Sequence, residues 1–126
     1  MSDGQRSAWQ ELVSAVDGGT LYLEPGVADA CAGRCEDLMA ALSEVRARAA
    51  GLSVVEGFGD QLPSGIALAR KFGLKASGGD YPLEQAISDH IEVVREMQMV
   101  FQRIGAQYQA AEDANQQSLT NVDAGF

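Results

Sequence analysis

Few residues in this chain are equipped for covalent chemistry. It has one histidine, His90, and two cysteines, Cys31 and Cys35. Two cysteines exclude a disulfide-stapled scaffold. They stand at i and i+4 on a stretch that reads as helix, so they share a face without aiming at each other for an easy bridge. They read as small core residues. A four-ligand zinc site would have to recruit carboxylates. A Cys–His pair for acyl transfer has no evident oxyanion site beside it. His90 falls in the seam of the last helix, where a histidine serves as a hydrogen-bonded core residue or a polar layer fixing register. Neither catalysis nor a cofactor is expected.

Positive charge is also scarce. Nine basic residues against eighteen acidic ones give a net charge of −9. Such a surface repels phosphate backbones and anionic bilayers, which argues against nucleic-acid binding and membrane adsorption. No apolar run approaches the ~20 residues needed to span a bilayer, so membrane insertion is not expected. The opening "MSDGQRSAWQ" lacks the apolar core of a signal peptide, so secretion by the general pathway is not expected, while export by a route that reads a folded protein stays open. "GFGD" at 57–60 lacks the spacing and the Lys-Ser/Thr of a phosphate loop, and its glycines suit a tight turn. Glu92 and Glu96 stand one turn apart and read as a solvated face.

What the chain does have is helical periodicity. In "SAWQELVSAVDGG", Trp9, Leu12, Val13 and Val16 fall on one stripe, ended by Gly18 and Gly19. "TLYLEPG" is an extended connector, and Pro25 can open the next helix. That helix, about 25–50, has a seam of Val27, Cys31, Cys35 (or Arg34), Leu38, Leu42, Val45, Ala49 and Leu52. Residues 51–80 are punctuated by Gly51, Gly57, Gly59, Pro63 and Gly65. A short helix is predicted within them, with Ile66, Ala69 and Phe72 inward and Phe58 as a plug at the hairpin end. The last helix, about 81–117, starts near Asp80 with Pro82 in its first turn. Its seam is Leu83, Ile87, His90, Val94, Met97, Phe101, Ile104, Tyr108, Ala111 and Asn115, stepping alternately by four and three. Two long apolar-seamed helices must cover each other. The expected fold is all-α: a long antiparallel helical hairpin with a short N-terminal helix and a partly helical 51–80 connection. A single domain over 1–117 and a flexible tail over 118–126 are expected. The apolar face is wider than one arm can cover, which predicts a homo- or hetero-dimer.

"YQAAED" at 108–113 places Tyr108 and Glu112 on one helix face, one turn apart, with Asp113 beside them. Tyr22 and Tyr81 are followed at i+4 by Gly26 and Gln85 and lack the pattern. An aromatic and an acid at this spacing, at the C-terminal end of the second arm of a helical hairpin, resemble the small helical substrates of type VII (ESX) secretion in actinobacteria. Those proteins are helix-turn-helix hairpins without a cleaved signal peptide, and many carry Tyr-x-x-x-Asp/Glu after the second helix as an export signal. The resemblance covers mainly the last helix and its end. It departs from the family in lacking the Trp-x-Gly turn between the arms: Trp9 lies elsewhere, and the 51–80 segment is longer than a simple turn.

The resemblance implies a non-catalytic protein exported through, or assisting, a type VII system. Its location would be secreted or at the cell envelope, after synthesis in the cytoplasm. Tyr108, Glu112 and Asp113 would form the recognition face, and the partner would be the secretion ATPase or another component of the system. A cytosolic helical adaptor or chaperone that is never exported explains the helices and the charge equally well.

Overall fold

The structure is a computed structural model that describes residues 8–24 and 26–124. Pro25, expected to open the second helix, lies outside the described residues, as do 125 and 126 of the expected tail. All regular structure among the described residues is helical: α1 Ala8–Asp17, α2 Val27–Gly51, α3 Pro63–Ala76 and α4 Leu83–Ala124. The all-α fold with α2 and α4 packed as a helical hairpin agrees with the sequence. The residues gather into two compact units, Met1–Glu36 with Arg95–Phe126, and Asp37–Val94.

In the first unit, α2 and α4 run antiparallel. Asp29 and Ala28 face Gly105, where an added Cβ would sit 2.8 Å from Asp29 Oδ1. Two turns on, Gln98 Nε2 donates to the Ala32 carbonyl and to Glu36 Oε2. The core consists of Val16, Ala28, Val100 and Ile104, with Trp9, Leu12, Val13, Leu21, Leu23 and Phe101 packed against it. The α1 stripe read from the sequence is therefore the face that is buried. The Trp9 and Phe101 rings meet at 5.9 Å in a tilted arrangement that suits their quadrupoles. Gly19 ends α1 with φ 75°, and the Thr20 N–H and hydroxyl both donate to the Ala15 carbonyl.

The second unit has a smaller core of Ala49, Ile87 and Ile91, backed by Met39 and Leu42. Gly57 and Gly59 take φ of 101° and 82°, the left-handed turn conformation expected of them. α3 packs through its smallest residues: Gly73 and Ala76 are buried, while Ile66 and Phe72, expected inward, are exposed. Phe58 stacks on Phe72 with ring centres 5.7 Å apart. It stays exposed and does not act as a plug.

Both long seams differ from the sequence reading. On α2 the buried residues are Ala28, Ala32, Cys35 and Ala49, whereas Val27, Leu38, Val45 and Leu52 are exposed. Close helix approach selects small side chains, so alanines mark the inner stripe and the larger residues beside it point outward. On α4, Ile91 is buried where His90 was expected, and His90 is exposed. Leu83, Ala111 and Asn115 are exposed as well. Ile87, Val94 and Ile104 of the expected seam are buried, and Ile91 and Val100, which lie beside that seam, complete the inner face. α4 is also helical through Ala124, beyond its expected end near 117.

The start of α4 is tied by polar contacts. Tyr81, at φ 43°, is the one described non-glycine residue with positive φ. Its hydroxyl donates to Asp89 Oδ2 at 2.6 Å, and Gln85 Nε2 donates to Asp89 Oδ1 at 3.0 Å. The hydrogen bond from Tyr81, then that from Gln85, holds the Asp89 carboxyl below its usual range. The same bond to Asp89 raises the Tyr81 phenol, with burial and the Asp89 charge adding. Asp89 therefore contributes stability above its unfolded pKa, lost as pH falls through the folded one. Tyr81 contributes below its unfolded pKa, and that part is lost as pH rises through its raised folded value. Tyr81→Phe is expected to lower the urea midpoint at neutral pH and to lower it less once Asp89 is protonated, because the bond is then no longer charge-assisted. An equal deficit at both pH values would contradict the bond's role.

Candidate functional site

α4 is packed along the first unit as far as Tyr108 and is bare beyond it. Ile104 is buried and Tyr108 is half-buried, while every residue from Gln109 to Val122 is exposed. Tyr108 thus stands where the packed helix becomes a free one. Its ring lies against Tyr22 at 5.9 Å, tilted by 44°. Tyr22 belongs to the extended stretch between α1 and α2. There Leu21 and Leu23 turn to the core, so the alternating geometry of extended chain turns Tyr22 the other way.

Glu112 is one turn beyond Tyr108 and exposed. Burial of the Tyr108 ring raises its phenol pKa, and the charge of Glu112 and the neighbouring Tyr22 raise it further. At neutral pH the Tyr108 hydroxyl therefore keeps its proton, beside the Glu112 side chain. Asp113 is placed differently. Gln109 Nε2 donates to its Oδ1 at 3.0 Å, on another side of the helix. The structure brings Tyr108 and Glu112 together and leaves Asp113 in a separate local pair.

Two hollows flank the Tyr108 ring. One, of about 190 Å³, includes Glu24, Asp29, Gly105 and Gln109 in its walls. The other, of about 290 Å³, includes Gly19, Leu21, Gln107 and Ala111. Neither reaches the roughly 300–1,000 Å³ typical of small-molecule sites. The base of the site is braced by Arg103, whose Nη1 meets Asp17 Oδ2 at 3.0 Å, and by Gln107 Nε2, which donates to the Asp17 carbonyl. No cation follows Arg103 in the sequence, so the free part of α4 is purely acidic in its charge.

The other residues singled out in the sequence lie apart from this site. Cys31 and Cys35 are free thiols, half-buried and buried. Burial, then the charge of Cys31, raises the Cys35 thiol, the reverse of what activates a nucleophile. Among the described residues no group of three or more His, Cys, Asp or Glu side chains is placed to hold a metal ion. No described helix is long and apolar enough to cross a membrane. Sequence reasoning missed Tyr22 as the ring that supports Tyr108; the Leu-Tyr-Leu alternation in "TLYLEPG" sets Tyr22 opposite the two leucines but does not give its partner.

Comparison with protein families, with curated proteins and with solved structures finds no match to this chain.

Proposed function

We propose that this chain is a non-catalytic protein exported through, or assisting, a type VII secretion system, and that Tyr108 and Glu112 form the face read by the export machinery. The observation that carries the reading is the position of the pair at the last packed turn of α4. There an aromatic ring braced by Tyr22 stands beside an exposed carboxylate. A receptor groove would anchor on the ring, and a basic group would meet Glu112. The free helix beyond leaves approach to the pair open from that side.

The test is export in a type VII-competent host. The parent is expected outside the cell, and Tyr108→Ala and Glu112→Ala are expected to stay inside while folded. Tyr108→Ala removes a packed ring, so its helicity is followed alongside. Glu112→Ala touches no core residue and is the cleaner variant. Parent and variants all confined to the cytosol would favour the cytosolic adaptor or chaperone instead.

A further inference from the structure

The net charge of −9 hides a local reversal. α3, "PSGIALARKFGLKA", carries Arg70, Lys71 and Lys75 and no acid. One helix in an acidic chain is therefore a basic amphipathic segment. Pro63, Ile66, Ala67, Arg70, Lys71 and Leu74 surround a shallow hollow on its face, at the i, i+3, i+4, i+7 spacing of a helical stripe. Ile66 is 53% and Leu74 39% exposed, so the hollow is apolar and uncovered. Among the described residues none of the three cations has a carboxylate partner.

The end of α4 has the opposite character. Glu112, Asn115, Leu119 and Val122 follow Tyr108 at steps of four and three, so they lie on one stripe. Leu119 is 67% and Val122 57% exposed. The segment contains Glu112, Asp113 and Asp123 and no cation. Alone in water a helix of this length is marginal, and an apolar stripe on it gains by being covered.

We propose that the face of α3 is a docking surface for a second copy of this chain, and that the occupant is the end of that copy's α4. Leu119 and Val122 lie against Ile66 and Leu74, and Glu112, on the same stripe, meets the cations of α3. Charge complementarity selects this occupant: among the described helices α3 is the one with basic and no acidic residues, and the α4 end is a free helical stripe with acidic and no basic ones. The proposal does not depend on the export reading and is read by mass rather than by export.

The experiment is sedimentation equilibrium of the full chain over a concentration series. It is run at about 0.05 M and about 0.5 M salt, where the screening length falls from well over 10 Å to a few Å. The parent is expected to associate at low salt and to weaken at high salt. Reversing the α3 charges (Arg70→Glu with Lys71→Glu and Lys75→Glu) is expected to weaken association at least about tenfold. Leu119→Asp with Val122→Asp should do the same. All these positions are exposed, so the fold should survive. Adding Glu112→Lys, Asp113→Lys and Asp123→Lys to the α3-reversed chain restores the complementarity with both signs exchanged and should restore association. A parent that stays monomeric at every concentration overturns the proposal. So does association that neither set of variants alters. Binding of the monomeric parent to vesicles of anionic lipid, lost in the α3-reversed chain, would assign the face to a membrane surface instead.

Discussion

Gly73→Ala is expected to destabilise the second unit by about 1–2 kcal/mol, although alanine is the better helix former. Gly73 lies inside α3 and is buried. A Cβ built there runs into the carbonyl of Ser53, which is backbone and cannot swing aside. To make room, the turn after α2 must shift. That strains the bonds from the Leu52 and Ser53 N–H groups to the Ala49 and Ala50 carbonyls. Overpacking of this kind costs about 1–3 kcal/mol, more than the gain of up to about 1 kcal/mol in helix propensity. Gly33, in the interior of α2, has open space where its Cβ would stand. There the propensity term acts alone, and Gly33→Ala should stabilise by up to about 1 kcal/mol. Urea unfolding followed by circular dichroism distinguishes the two signs. A gain in stability at both positions would show that α3 does not approach Ser53 as closely as described.

A comparable contrast is expected along α4. Ile104→Ala should cost about 2–4 kcal/mol, because the side chain is buried between α1 and α2 and its loss leaves a cavity. Against a total stability on the order of 5–15 kcal/mol, that is a large fraction. Leu119→Ala, on the same helix, removes an exposed side chain and should change the stability of the monomer by less than about 0.5 kcal/mol. Both are measured at a dilution where association makes no contribution. A similar loss at the two positions would mean that the end of α4 is covered within the monomer.

These contrasts also mark what was legible in the sequence. The helices were visible because their apolar residues recur at helical spacing, and the α1 stripe of Trp9, Leu12, Val13 and Val16 identified its buried face correctly. The inner face of α2 was misjudged because large side chains were taken as the mark of burial. Cys35 and Ala49 are buried as expected, but Ala28 and Ala32 were passed over and are inside because the helices approach closely, while Val27, Leu38 and Val45 stand beside the contact. His90 was assigned to the core by the strict alternation of steps, whereas the buried residues there are Ile87, Ile91 and Val94, which step by four and then three and pass over His90. On α3 the same size bias pointed to Ile66 and Phe72, while the helix packs through Gly73 and Ala76.

The pairing of Tyr108 with Glu112 needed only helical spacing and was legible directly. The support from Tyr22 was not, because it comes from a segment 86 positions earlier whose path only the fold determines. The basic face of α3 was hidden by the net charge, since eighteen acids elsewhere mask three cations confined to one short helix.

The most direct measurement is the export of Glu112→Ala beside Glu44→Ala in a type VII-competent host, with cytosolic abundance and helicity followed for both. Each variant removes one exposed carboxylate from a helix, so they change charge equally and leave the core untouched. If Glu112 is part of an export signal, the parent and Glu44→Ala reach the medium and Glu112→Ala accumulates inside the cell in folded form. Export of Glu112→Ala at the level of the parent would contradict the role assigned to the Tyr108–Glu112 face.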